Sequence, residues 1–244
     1  MRVGLFVTCL VDLWRPRVGK ATLKILTSAG VAPSVPRQTC CGQPAYNSGD
    51  SAAARAVAGN ILKVFAGYDA IVVPSGSCAG MIRVHYPRLF QNSPAEHAAA
   101  VALSARTYEL SQFLVNVVKL ATPPGRLRGP VAYHDSCSAR RELGVHAEPR
   151  LLLASMPGVA LKEIPEAETC CGFGGTFAVK YDEISTRLAE RKCANLDATG
   201  ACALVAGDLG CLLHLEGRLR RRGDAKTRVL HLAEALTDDG DACA

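Results

Sequence analysis

The chain is poor in the features that mark many familiar classes of protein. Aromatic residues make up only 5% of its 244 positions, with a single tryptophan, and the formal net charge of +6 is modest. That charge permits contact with an acidic partner but is too small to argue for nucleic acid, and no RNA- or DNA-binding motif is present. No run approaches the roughly 20 apolar residues that a membrane span needs; Ala98–Leu103 is among the longest. The opening MRVGLFVTCLVDLW is short, interrupted by Cys9 and Asp12, and lacks a small-residue cleavage site. It reads as a buried first strand, and the expected location is cytoplasmic. No closely spaced cysteine pair of the zinc-ribbon kind occurs, and no flavin, nicotinamide or haem motif is seen.

What the chain does have is cysteine, eleven in all. An odd number cannot pair completely into disulfides, and in a reducing compartment such cysteines bind metal, do redox chemistry or pack as buried thiols. Eight of them fall into two sets. Cys9, Cys40, Cys41 and Cys78 are separated by 31, 1 and 37 positions, and Cys137, Cys170, Cys171 and Cys211 by 33, 1 and 40.

The surrounding sequence repeats with the same offset of about 130 residues, a period suited to a duplicated domain rather than a solenoid. Val3-Gly-Leu-Phe-Val-Thr-Cys9 is answered by Val131-Ala-Tyr-His-Asp-Ser-Cys137, and the Thr-Cys-Cys-Gly ending at Gly42 by the one ending at Gly172. The apolar run Ile71-Val-Val before Cys78 is answered by Leu204-Val-Ala before Cys211. Between the copies, Ala121–Pro130 is rich in proline and glycine, as a linker is, giving expected domains of 1–125 and 126–244.

Short apolar runs alternate with amphipathic stretches, Ala52–Phe65 and Glu183–Leu196 being the clearest. The expected fold class is α/β: two Rossmann-like halves, mainly parallel, related by pseudo-two-fold symmetry. Cys78 and Cys211 then follow strands at the carboxyl edge of each sheet, where such folds place ligands.

Vicinal cysteines project in different directions, which suits two irons of a cluster better than one small ion, so iron–sulfur is favoured over zinc or a structural disulfide. Gly42 and Gly172 let the backbone approach a bulky ligand and turn amide N–H groups toward sulfur. At these residues the chain resembles the Cys-Cys-Gly family of iron–sulfur proteins, which includes the heterodisulfide reductase B subunit and the glycolate oxidase iron–sulfur subunit. The resemblance covers almost the whole chain and is strongest to the stand-alone lactate-utilisation group. It implies two [4Fe-4S] clusters, one per half, on Cys9, Cys40, Cys41 and Cys78 and on Cys137, Cys170, Cys171 and Cys211, and electron transfer during oxidation of L-lactate or a related 2-hydroxy acid. The implied partners are other subunits of the oxidoreductase system: a ferredoxin-like iron–sulfur subunit and lactate-utilisation proteins B and C. Alternatives are a disulfide reductase of the heterodisulfide type and a non-redox zinc-binding assembly module.

The sequence departs from the heterodisulfide reductase pattern where a fifth cysteine would stand: Met81 and His214 occupy those positions, and His214 is a candidate nitrogen ligand. His134-Asp135 is a candidate base pair, absent from the first half, and Arg140-Arg141 a candidate carboxylate clamp. Arg218–Arg228 concentrates positive charge, either as a solvated helix end or as a docking patch. Cys193 and Cys202 read as core thiols and Cys243 as incidental.

Overall fold

The computed structural model describes residues 1–244, and each half of the chain builds one four-stranded, all-parallel sheet with helices between the strands. In the first, β1 (Val3–Leu5), β2 (Pro33–Ser34), β3 (Ala70–Val73) and β4 (Thr107–Glu109) lie in the order 2-1-3-4. In the second, β5 (Arg128–His134), β6 (Gly158–Glu163), β7 (Ala203–Ala206) and β8 (Arg228–His231) lie in the order 6-5-7-8, the same arrangement. The expected α/β class is what the chain forms. The two amphipathic stretches fold as helices Ser51–Val64 and Asp182–Asp197, each leading into the central strand that precedes a cysteine-bearing helix. No helix is long and apolar enough to cross a membrane.

The strands β1, β3 and β7 are short, apolar and buried along their whole length, as expected for parallel sheets covered on both sides. Alternation divides the first sheet's side chains between two cores. Ile71 and Val73 join Phe6, Ile61, Phe65 and Tyr86 in a core of the first half alone. Ala70 and Val72 face the other way, into a larger core that also holds residues of the second half such as Val131, Leu204 and Leu230. One apolar core therefore runs through both halves. The proline- and glycine-rich stretch feeds straight into β5, pinned to the C-terminal segment by hydrogen bonds from Gly125 N–H to the Leu236 carbonyl (2.9 Å) and from Arg126 N–H to the Asp238 carbonyl (2.7 Å).

Cys202, read from sequence as a core thiol, and Cys243, read as incidental, are joined by a disulfide that ties the C-terminal tail to the start of β7. The pairing is non-local, and nothing in either residue's neighbourhood signals it. Cys193 is a buried thiol, as expected.

The basic run closes on acids of its own half. Arg218 pairs with Glu190, Arg222 with Glu190 (3.4 Å) and Asp197 (2.6 Å), Arg220 with Glu216 (3.6 Å), and Arg228 with Asp238 (2.5 Å). This is the helix-end reading; the charge left over for docking is small.

Where the halves meet, the ends of β4 and β8 play matching roles. Glu109 accepts hydrogen bonds from the N–H groups of Ser111 (2.8 Å) and Gln112 (3.3 Å), capping the next helix, and lies against Gly207 and the Tyr133 hydroxyl of the other half. His231 does the same at β8: Nδ1 accepts from Ala233 N–H (3.1 Å) and Nε2 is 3.1 Å from the Pro74 carbonyl across the junction. Burial pushes His231 down to about 4, which keeps it neutral, and burial pushes Glu109 up to about 7.

A carboxyl whose folded pKa is raised contributes stability that is complete below its unfolded value, near 4.5, and is lost as pH climbs toward 7. Glu109→Gln removes that loss while keeping an acceptor for the cap. Urea unfolding of both proteins between pH 4.5 and 8 should show the variant gaining stability relative to wild type as pH rises. A difference that stays flat with pH would disprove the assignment.

Candidate metal centre

Each predicted cysteine sits where a strand gives way to a loop or helix at the carboxyl edge of its sheet. Cys9 opens the helix Cys9–Trp14 just after β1, capped by the Thr8 side chain, which accepts from Val11 N–H. Cys78 lies in the first turn of the helix Gly76–Gly80 after β3, whose cap is Ser75. Cys137 and Cys211 hold the same positions after β5 and β7. The Cys-Cys-Gly segments come from the loops after β2 and β6. Parallel strands in one sheet deliver all of these to one edge, so distant cysteines meet.

The sets do meet, and in the same way. In the first half the vicinal pair splits: Cys40 Sγ lies 3.7 Å from Cys9 Sγ, while Cys41 Sγ lies 3.3 Å from Cys78 Sγ. In the second, Cys137 is paired with Cys170 and Cys171 with Cys211. Cys41, Cys78, Cys171 and Cys211 are buried; the other four are partly open. All eight line one cavity of about 230 Å³, together with Thr8, Ser75, Ser136 and Asp208. The two halves thus present their thiols to each other across a shared cleft.

Two interactions hold that cleft together. Asp208 caps the helix carrying Cys211, with Oδ1 accepting from Gly210 N–H (3.2 Å), and crosses to the helix carrying Cys78, with Oδ2 accepting from Ser77 N–H (2.9 Å) and the Ser75 hydroxyl (3.2 Å). The helix Gly76–Gly80 also packs so closely on the helix Cys137–Leu143 that a Cβ at Gly76 would sit 2.4 Å from that of Ala139.

The donor set fits a metal. Hydrogen bonds from the neighbouring thiols Cys41 and Cys9, with the Gly42 amide, hold Cys40 far below the ordinary thiol range, while Cys41 is pushed well above it. Cys170 and Cys171 are split in the same sense. Four sulfurs this close cannot all ionise without a cation among them.

The two glycines each donate N–H to a cysteine sulfur: Gly42 to Cys40 at 3.4 Å and Gly172 to Cys170 at 3.3 Å. Both have positive φ, +85° and +92°.

Other candidates are placed elsewhere. Adjacent residues at a strand end face opposite ways, so His134 and Asp135 form no pair. Asp135 turns to Arg150 (2.8 and 2.9 Å) and Arg140 (3.3 Å); against the upward push of burial, the Arg150 hydrogen bonds hold its carboxyl below the ordinary value. Arg140 and Arg141 are taken up by Asp135 and the Glu168 segment, away from the cavity, so neither serves as a clamp. His214 bonds the Ser185 hydroxyl (3.2 Å) and lies beside Phe173; it is not gathered with the thiols, and Met81 is buried in the first-half core. The histidine that does reach the thiols is His134. One of its ring nitrogens and the sulfurs of Cys171 and Cys211 all lie within 4.8 Å of one another. Strand alternation, counted back from Cys137, is the signal that could have found it.

The turn glycines give a direct check on the site's backbone. A Cβ at Gly172 would meet the Ser185 carbonyl at 2.4 Å, whereas at Gly42 the nearest atom is 3.4 Å away. Both alanine variants incur the left-handed penalty of about 1–2 kcal/mol, and only Gly172→Ala adds a backbone clash. Urea unfolding of the reduced protein should rank Gly172→Ala as the more damaging; equal losses would contradict the geometry.

A family model described as a cysteine-rich domain matches residues 3–83 and 131–216, one match per half. The chain is 44% identical over 237 residues to lactate utilization protein A 2 of Bacillus cereus (strain Q1), covering 97% of this chain and 98% of that one. To lactate utilization protein A of Geobacillus kaustophilus (strain HTA426) it is 45% identical with the same coverage. Among solved structures, a hypothetical protein from Helicobacter pylori superposes with a TM-score of 0.66 at 12% identity, over 96% of this chain and 48% of that one, a likeness of fold alone. Two copies of the cysteine-rich domain and near-full-length relatives lead to one assignment: the chain belongs to the lactate utilization protein A family.

Proposed function

We propose that this chain is an iron–sulfur electron-transfer subunit of a cytoplasmic, multi-component system that oxidises L-lactate, or a related 2-hydroxy acid, to the 2-oxo acid. The observation that carries the reading is the convergence of two four-thiol sets on one cavity. Cys9, Cys40, Cys41 and Cys78 would hold one [4Fe-4S] cluster and Cys137, Cys170, Cys171 and Cys211 the other. Bound there, such clusters supply one-electron transfer at potentials tuned by their surroundings.

The chain's own contribution is positioning. Helix and strand ends fix the thiol directions, the Gly42 and Gly172 amides donate to sulfur, and the buried thiols keep half of each set away from water. Removal of hydride from the hydroxy acid falls to a partner carrying a suitable cofactor. The relatives' name and the family resemblance make lactate-utilisation proteins B and C the partners of choice, a ferredoxin-like subunit among them. A second reading, reduction of a disulfide within the shared cavity, is favoured by the way both thiol sets open onto the same space; its assay is disulfide reduction by the cluster-loaded chain without partners.

Purification without oxygen should yield about eight irons and a matching amount of acid-labile sulfide per chain, the content of two four-iron clusters. Cys41→Ser or Cys171→Ser should each remove about half, with loss of one EPR signal apiece. A colourless protein with stoichiometric zinc would replace this reading with the zinc-binding one. In the cell, deletion should abolish growth on L-lactate and leave growth on glucose intact; normal growth on lactate would exclude the proposed pathway role.

A further inference from the structure

His134 has no partner in the protein. It is the last residue of β5, its side chain is 1% exposed, and both ring nitrogens are buried without a hydrogen bond. Buried polar groups are almost always satisfied, so an orphaned imidazole calls for a missing partner. The contrast with His231 is direct: that ring is equally buried and uses both nitrogens, on Ala233 and Pro74.

The ring's surroundings say what the partner is. One nitrogen and the sulfurs of Cys171 and Cys211, the two buried thiols of the second set, lie mutually within 4.8 Å. A donor to the centre that these thiols hold must converge on the same few ångströms as their sulfurs, and this nitrogen does. Other nearby basic groups are committed: His214 to Ser185, and the buried Lys192 to the carbonyls of Glu166 (2.9 Å) and Ala167 (3.3 Å).

The first half holds a different residue at this position. Three residues before Cys9, where His134 stands before Cys137, is Phe6, fully buried and packed against the Phe65 ring at 5.8 Å. The equivalent position of the duplicated half is filled by an apolar ring, so the fold itself does not call for a histidine there. We propose that His134 supplies a nitrogen donor to the metal centre on Cys137, Cys170, Cys171 and Cys211, so that the second centre differs from the first in its ligands.

This inference rests on metal binding by the second thiol set, and its test separates the two. The chain, labelled with ¹⁵N-histidine and loaded anaerobically with iron and sulfide, is reduced and measured by pulsed EPR. A directly bonded nitrogen should couple to one of the two centres. The coupling should vanish in His134→Phe, which copies the first half, and in Cys171→Ser, and should persist in Cys41→Ser and His214→Ala. In parallel, the reduced metal-free chain carrying Cys41→Ser is titrated with Co²⁺ alone, followed by its thiolate charge-transfer absorbance. Adding His134→Phe should weaken binding by about tenfold or more. Normal iron content without nitrogen coupling, or with coupling unchanged in His134→Phe, overturns the proposal and leaves the iron–sulfur reading standing. No iron uptake but a His134-dependent Co²⁺ site removes the iron–sulfur reading and retains His134. Unchanged Co²⁺ affinity in a chain that takes up no iron removes both.

Discussion

Asp208 is the point at which the two halves become one site. Its carboxylate is nearly buried and spends both oxygens on helix N-termini, one in its own half and one across the junction. An anion there is favoured by both helix dipoles and satisfies amides that would otherwise be orphaned. Because those two helices carry Cys78 and Cys211, the same contact fixes the relative placement of the two thiol sets. The position equivalent to Asp208 is Ser75, which caps only its own helix in the usual way and donates its hydroxyl to Asp208. A duplicated element has thus diverged into two complementary parts of one clasp.

The same divergence recurs around the thiol sets. Glu109 and His231 end equivalent strands and cap equivalent helices, yet one is acidic and the other basic, and each reaches the opposite half. Phe6 corresponds to His134 and Met81 to His214, and the buried Lys192 stands near Cys171 where the first half has Ile61. The thiols keep the duplication while the groups around them abandon it. Equal thiol geometry with unequal surroundings would give any metal held by the two sets different chemistry.

Much of this was legible in the sequence, because a parallel sheet converts spacing into proximity. Once Cys78 and Cys211 are read as following strands, the order of strands brings Cys9 and Cys137 beside them without further information. The vicinal cysteines were also readable, since neighbours on one backbone must point apart; Cys40 joining Cys9 and Cys41 joining Cys78 is that rule in practice. Side-chain roles that depend on non-local partners were not readable. His134-Asp135 looked like a pair, but period-two alternation sends one to the thiols and the other to Arg150. His214 was a candidate ligand from its place in a cysteine pattern, and it is instead a helix residue bonded to Ser185. The Cys202–Cys243 bond joins residues 41 positions apart, and Asp208 gains its meaning only from the other half.

The shared core adds a constraint on how such a site can arise. Ala70 and Val72 of β3 and Val11, Val18 and Ile25 of the first half are buried in the same apolar cluster as Val131, Leu204 and Leu230 of the second. Separating the halves would expose that surface, and apolar burial at roughly 25 cal/mol per Å² makes the junction part of the folding energy rather than a contact added to finished domains. The cleft inherits this rigidity. Its walls are strand and helix ends anchored in one core, and the Cys-Cys-Gly loops complete them, with Gly42 and Gly172 taking up the left-handed turns that bring each vicinal pair to the cavity.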